Sequence, residues 1–236
     1  MYVPSDDRDA PAWYGKLASL GDFATRRLPQ DTARVLDAWL SQGVDASRAQ
    51  LGDARWFNLY LTSPLWRFAW APGVFDASSW WFGLMMPSVD SVGRYFPLVV
   101  LQAREHPPAG RDALGQLEAW YAAIARAALR TLQPGSSLEQ FEADLIALAA
   151  TAPLPASPPA APWTAAQWTE RTRHEMEAGT TLAQCFEQLT VAESLRRLRG
   201  CSLWWSLRPG EQASSLSIAV GLPARESFVQ LLEGVW

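Results

Sequence analysis

An acidic and a basic side chain lie four residues apart in a loop between two apolar segments. Asp90 and Arg94 belong to the run Pro87–Leu98, which follows the aromatic segment Trp80–Met86 and precedes Leu98–Leu101. A guanidinium can grip a carboxylate or phosphate through two parallel hydrogen bonds, with the Asp orienting it. Alternatively, the Asp caps a turn by accepting backbone N–H bonds while the Arg neutralises it. The turn is favoured because Asx-type turns are far commoner than ligand clamps.

No other side chain completes an active site around this pair. The two histidines, His106 and His174, follow no motif that would place them beside a nucleophile, which a general base requires. The sequence has no metal-ligand spacing, no glycine-rich phosphate loop and no Gly-x-Ser-x-Gly turn. We therefore expect a non-enzymatic protein with no catalytic residue, metal or cofactor.

Composition indicates an intracellular globular protein. The chain has 236 residues, 49% of them hydrophobic and 13 of them Trp, which is enough for a large core. Its formal net charge of -4 argues against electrostatic capture of nucleic acid. No apolar run approaches the roughly 20 residues that span a bilayer, and the polar segment Met1–Pro11 is unlike a signal peptide. We expect a cytoplasmic protein with no membrane insertion.

Two pairs of adjacent tryptophans, Trp80–Trp81 and Trp204–Trp205, lie in predicted strands. Neighbouring residues of a strand point to opposite faces of the sheet. If helices cover only one face, one member of each pair is exposed and could contact a partner. If helices cover both faces, all four are core residues. Asp22, after a glycine, has the same two alternatives as Asp90: turn support or a surface contact.

Periodicity predicts the elements of the first half of the chain. A short strand covers Trp13–Ala18, and Pro29 opens a helix that Gly43 can end. In Trp66–Trp70, large aromatic residues alternate with Arg and Ala, which is typical of a half-buried strand.

The second half begins with helical periodicity after Gly110, and Ser137 starts a capping box for a further helix. A proline-rich linker, residues 153–162, follows. The chain then returns to strands at 201–207 and 214–220.

These elements predict an α+β fold with a mostly antiparallel sheet flanked by helices. Residues 1–10 are predicted to be a disordered lead and residues 11–236 a single domain. Its helical part, about 110–200, is inserted before a C-terminal hairpin and a helix that starts at Pro223.

Several of these segments together resemble the TagF (ImpM) family of accessory proteins of bacterial type VI secretion systems. The most distinctive is the central run Gly83–Leu98. The weaker ones are Gly15–Leu17, Gly21–Phe23, Leu28–Pro29, Asp37–Leu40, Leu203–Trp205 and Gly221–Pro223.

The resemblance implies a cytoplasmic, non-enzymatic, post-translational regulator, usually a repressor, that acts through a forkhead-associated-domain scaffold protein of the secretion system. The family has no established catalytic residues to transfer to this chain. The possible partner-binding or motif residues are Asp22, Trp80, Trp81, Ser88, Asp90, Arg94, Trp204 and Trp205. The alternative function is a small-molecule or phosphate-sensing module that uses the Asp90/Arg94 loop.

Overall fold

Seven strands form one antiparallel sheet in the computed structural model, which describes residues 9–108, 110–155, 181, 193, 195–206 and 215–236. The strands are β1 (Ala12–Gly15), β2 (Ala24–Arg26), β3 (Trp66–Trp70), β4 (Trp80–Met86), β5 (Leu98–Arg104), β6 (Cys201–Ser206) and β7 (Leu216–Val220). Their order across the sheet is β2-β1-β5-β4-β3-β6-β7, and every neighbouring pair is antiparallel. The predicted α+β fold is confirmed.

Helices cover both faces of this sheet. They are α1 (Gln30–Leu51), α2 (Asp53–Thr62), α3 (Arg111–Arg130), α4 (Leu138–Thr151) and α5 (Phe228–Glu233). The first core lies between the sheet and α1, α2 and α5. The second core lies between the opposite face and α3 and α4. Among the described residues, no helix has both the length and the apolar character needed to cross a membrane.

Strand β3 is buried on both faces, which corrects the half-buried interpretation of its alternating pattern. Its residues Phe68 and Trp70 lie in the first core. On the other face, Arg67 is only 8% exposed, and its Nη1 donates to Glu118 Oε2 at 3.0 Å. Its guanidinium also lies over the ring of Tyr121, 5.6 Å from the ring centre. The alternation of residue size was correct, but a paired arginine occupies the face predicted to be solvent-exposed.

Helix α1 runs past Gly43, which corrects the prediction that this glycine ends it. The helix continues to Leu51 and stops at Gly52, whose φ of 73° favours glycine. Gly43 instead lies against Phe228 of α5: a Cβ at this position would be 2.2 Å from Phe228 Cδ2. The glycine is therefore required for the close approach of two helices.

Other element boundaries differ by a few residues. The first strand is Ala12–Gly15 rather than 13–18. A short 3₁₀ turn, Arg225–Ser227, precedes α5, so the last α-helix begins at Phe228 and not at Pro223. The predicted cap of α4 is confirmed, because Ser137 Oγ accepts the N–H of Gln140 at 3.1 Å.

Some predictions fall on residues that the structure does not describe. These are residues 1–8 of the predicted lead, residues 156–162 of the proline-rich linker, and His174. The division of the chain into a disordered lead and a single domain stays a prediction. Asp9 and Ala10 of that lead are described: Ala10 is 4% exposed, and the backbone oxygen of Asp9 accepts a hydrogen bond from Gln102 at 2.8 Å.

The contact between Gly43 and Phe228 predicts a position-specific effect of adding one methyl group. We expect Gly43→Ala to lower the free energy of unfolding by about 1–2 kcal/mol, because overpacking a core outweighs the gain in helix propensity. Gly115→Ala in α3 is the matched control, since its Cβ would meet nothing within 4 Å. The control should be neutral or raise the free energy of unfolding by up to about 1 kcal/mol. Urea unfolding measures both, and equal effects would contradict the packing argument.

Candidate functional site: two loops joined at Asp90

The carboxylate of Asp90 is completely enclosed in the loop between β4 and β5. Its side chain is 0% exposed, and its Oδ2 lies 2.8 Å from Lys16 Nζ, just after β1. The same oxygen accepts from Arg94 Nε at 2.7 Å. Its Oδ1 accepts the N–H groups of Arg94 and Val92 at 2.8 and 3.1 Å. Each carboxylate oxygen therefore has two donors, and the turn contacts expected of Asp90 and Arg94 are present.

The pKa of Asp90 is shifted by competing effects. Burial acts to raise it, because the charged form loses hydration. The hydrogen bonds from Lys16, from Arg94 and from the Val92 N–H act in the opposite direction and are stronger in sum. The pKa of Asp90 consequently lies well below its ordinary value, so the group is a carboxylate throughout the neutral range.

These contacts join the loop after β1, residues 16–23, to the loop between β4 and β5, residues 87–97. The two are called the joined loops below. The N–H of Ser91 donates to Leu20 O at 2.8 Å, and Arg94 Nη2 donates to Gly21 O. The Lys16 ammonium lies 4.7 Å from the ring centre of Phe23. The distinctive central run and the weaker stretches Gly15–Leu17 and Gly21–Phe23 are therefore in direct contact.

Tyr60 of α2 holds the start of the same loop. Its hydroxyl accepts the N–H of Ser88 at 2.9 Å and donates to Ser88 O at 3.0 Å. Ser88 Oγ in turn donates to Lys16 O at 2.7 Å. Both Tyr60 and Ser88 are buried, and burial raises the pKa of the Tyr60 phenol above its ordinary value. Ser88 thus connects α2, the end of β1 and the β4–β5 loop.

Sequence reasoning missed Lys16 and Tyr60. Lys16 could have been found, since it is the single lysine of the chain and belongs to one of the stretches that resemble a known family. Nothing in the sequence marks Tyr60, because its partner Ser88 lies in a different part of the chain.

The predicted tryptophans lie away from the joined loops, in the two cores. Trp80 and Trp81 are each 6% exposed and Trp204 is 0% exposed, while Trp205 is half-buried against Tyr121. The structure therefore favours the alternative in which helices cover both faces. Asp22 is exposed, and it accepts the N–H of Phe23 at 2.8 Å.

The joined loops present a mixed surface to solvent. Val92 is 68% exposed and Phe23 is 45% exposed. The Arg94 side chain is 55% exposed, although its Nε donates to Asp90 and its Nη2 donates to Gly21 O. Among the described residues, no group of three or more His, Cys, Asp or Glu side chains could hold a metal ion. The side chains that these two loops expose to solvent are therefore partly apolar, with the half-exposed Arg94 guanidinium beside them.

Both joined loops lie inside the region that matches a known family. Residues 12–148 match the TagF N-terminal domain, described as type VI secretion system-associated. This chain belongs to the TagF family. The resemblance noted in the sequence is confirmed, and the protein is one associated with type VI secretion.

A solved structure extends the similarity beyond the matched domain. The chain is 33% identical in sequence to PA0076 from Pseudomonas aeruginosa PAO1, and its fold matches the crystal structure of that protein with a TM-score of 0.71. The match covers 94% of this chain and 94% of that chain. No curated protein matches the sequence.

Enclosure of Asp90 predicts that its charge stabilises the TagF fold. We expect Asp90→Asn to lower the midpoint of thermal unfolding, because it leaves the buried Lys16 ammonium without a counter-charge. Arg94→Ala should have a smaller effect, since its guanidinium is half exposed to solvent. Asp22→Asn is the matched control and should leave the midpoint unchanged. Equal midpoints for wild type and Asp90→Asn would contradict the assigned role.

The lowered pKa of Asp90 predicts how the stability difference between wild type and Asp90→Asn depends on pH. A carboxylate whose pKa is lowered by folding stabilises the native state above its unfolded pKa of about 3.9. That contribution is lost as the pH falls from this value toward the native pKa. The stability difference between wild type and Asp90→Asn should therefore be constant near neutrality and shrink below about pH 4, as measured by urea unfolding. A difference that grew on acidification would contradict the assignment.

The hydrogen bonds between the Tyr60 hydroxyl and the Ser88 backbone predict a second position at which a substitution lowers stability. Tyr60→Phe removes one hydroxyl. It leaves the buried N–H of Ser88 without its partner, while Ser88 O keeps the N–H of Phe96 at 3.1 Å. We expect the free energy of unfolding to fall by about 1–3 kcal/mol. Tyr95→Phe, in a partly exposed ring 5.8 Å from Tyr60, is the control and should change it little. Similar losses in the two variants would contradict the role assigned to the Tyr60 hydroxyl.

Proposed function

We propose that this TagF-family protein is a non-enzymatic, cytoplasmic regulator that represses a type VI secretion system after translation. It acts by binding the forkhead-associated-domain scaffold protein or another component of that system. The observation that carries the proposal is the family match over residues 12–148, which contains both joined loops. Repression then follows if the regulator binds one assembly state of the scaffold more tightly than the other.

The geometry of the loops supports a binding role. The hydrogen bonds of Asp90 and Ser88 fix the loops before any partner arrives. A preformed surface loses little conformational entropy on binding, so more of its contact energy appears as affinity. Of the predicted site residues, Asp22 and Arg94 are exposed and can contact a partner directly. Ser88 and Asp90 are buried and would act by holding the loops in place.

The regulatory role is tested by secretion and by direct binding. Deleting the gene should raise secretion of a type VI substrate, and overproducing the protein should lower it. The purified protein should bind the purified scaffold protein of the same system in calorimetry. Unchanged secretion in both strains, together with no binding to any component of the system, would exclude the proposal.

The binding surface predicts a matched pair of variants. Val92 and Val235 are each 68% exposed, but only Val92 lies in the joined loops. We expect Val92→Glu to raise the Kd for the scaffold at least about tenfold, because a charge replaces an apolar contact at an interface. Val235→Glu should leave the Kd unchanged, and neither variant should alter the melting temperature. Equal Kd values for the two would place the interface elsewhere.

The alternative function is a small-molecule or phosphate-sensing module that uses the Asp90/Arg94 loop, and the half-exposed Arg94 guanidinium is the observation in its favour. It predicts that inorganic phosphate raises the melting temperature in proportion to the logarithm of its concentration above Kd. The rise should be absent in Arg94→Ala. No rise in the wild-type protein would leave scaffold binding as the function of the loops.

A further inference from the structure

The two ends of the described sheet differ in how they are protected. At one end β2 has three residues, includes Arg26 and is followed by Arg27 in the left-handed region at φ 58°. Short strands, charges and local distortion are the features by which natural sheets prevent further strand pairing. At the other end β7 has five residues, Leu216–Val220, with no charge, no proline and no glycine. The β7 edge lacks those protective features.

An exposed apolar row accompanies the β7 edge, which pairs with no further strand among the described residues. Leu216, Ile218 and Val220 are 58%, 56% and 88% exposed. They alternate along β7 and therefore lie on one face of the sheet. Through the pairing with β6, this is the face of Leu203 and Trp205, which pack at the margin of the second core. Backbone pairing at the edge and apolar contact on this face would occur in a single docking event.

We propose that β7 pairs with β7 of a second copy of this chain, antiparallel and across a two-fold axis. The two seven-stranded sheets would then form one continuous sheet. The occupant is a second copy because this strand is complementary to itself. With Ile218 on the axis, Leu216 lies opposite Val220 of the other copy, so both apolar rows meet on the same face. The segment carries no charge, so identical strands approach without repulsion.

The size of the contact sets the strength of the dimer. Each copy contributes one five-residue strand and three apolar side chains, which places the contact below the roughly 1,200 Å² of a standard specific interface. The dimer is therefore weak and depends on protein concentration. The edge is separate from the joined loops at Asp90, so the proposal does not depend on scaffold binding.

Analytical ultracentrifugation of the full chain tests the proposal over about two decades of concentration, up to about 500 µM. The wild type should move from monomer to dimer mass, whereas Ile218→Lys should raise the dimer Kd at least about tenfold. Val235→Lys, at an equally apolar exposed site outside the sheet, is the control and should dimerise like wild type. A wild type that stays monomeric overturns the proposal. If Ile218→Lys then also lowers the melting temperature, the edge is covered by another part of the same chain. Equal dimerisation of wild type and Ile218→Lys overturns it too, since the dimer then uses a different surface.

Cross-linking tests the register separately. In a background with Cys185→Ser and Cys201→Ser, Ile218→Cys places one thiol opposite its own copy, at a Cβ separation of about 4.5–5.5 Å. Mild oxidation should yield a covalent dimer from Ile218→Cys and none from Val235→Cys. Equal yields from the two variants would show random collision and overturn the pairing.

Discussion

Burial of the central strands on both faces is the constraint on which the rest of this structure depends. Because β3 and β4 have no solvent-exposed face, a polar group on them is costly unless it has a partner within the protein. Arg67 meets this need through Glu118, and the indole of Trp66 meets it by donating to Leu231 O at 2.8 Å. Trp70 Nε1 is buried without such a partner. Helices must also come from three parts of the chain to cover both faces: before β3, after β5 and at the C-terminus. The abundance of tryptophan follows from the same constraint, since two wide cores need large side chains to fill them.

The loop chemistry is a second consequence of this burial. The β4–β5 loop leaves two buried strands and turns over the end of β1, so its carboxylate is cut off from water. A buried charge is tolerated only when it is paired and hydrogen-bonded. Asp90 is paired with two cations and accepts two backbone N–H groups. These contacts restrict the conformations of both loops. In the fold, Asp90 and Arg94 therefore hold the two loops against each other. Val92 and Phe23 stay exposed beside this network, and under the proposed function they are the side chains available to a partner.

Local patterns predicted much of the fold, and contacts between distant segments explain the failures. The cap at Ser137 and the strands of the C-terminal hairpin depend on neighbours in sequence, and they were predicted correctly. Gly43 was misassigned because a glycine that ends a helix and a glycine that admits Phe228 look alike in sequence. The alternation in β3 predicted an open face because periodicity reports side-chain size and cannot show that α3 covers Arg67. Tyr60 was missed for the same reason, since its role exists only once α2 lies against the loop.

The C-terminal hairpin lies outside the matched family domain, yet the first core depends on it. Strand β6 pairs directly with β3 along its whole length. Its Trp204 is 0% exposed and lies 5.3 Å from Phe68 and 5.7 Å from Trp70, measured between ring centres. Residues 12–148 alone would leave this edge of β3 and these rings open to water, a loss of apolar burial at about 25 cal/mol per Å². The 94% coverage shared with PA0076 fits this dependence, because the similarity extends through the strands that complete the core. The strands of the matched family domain and those of the hairpin therefore belong to one sheet.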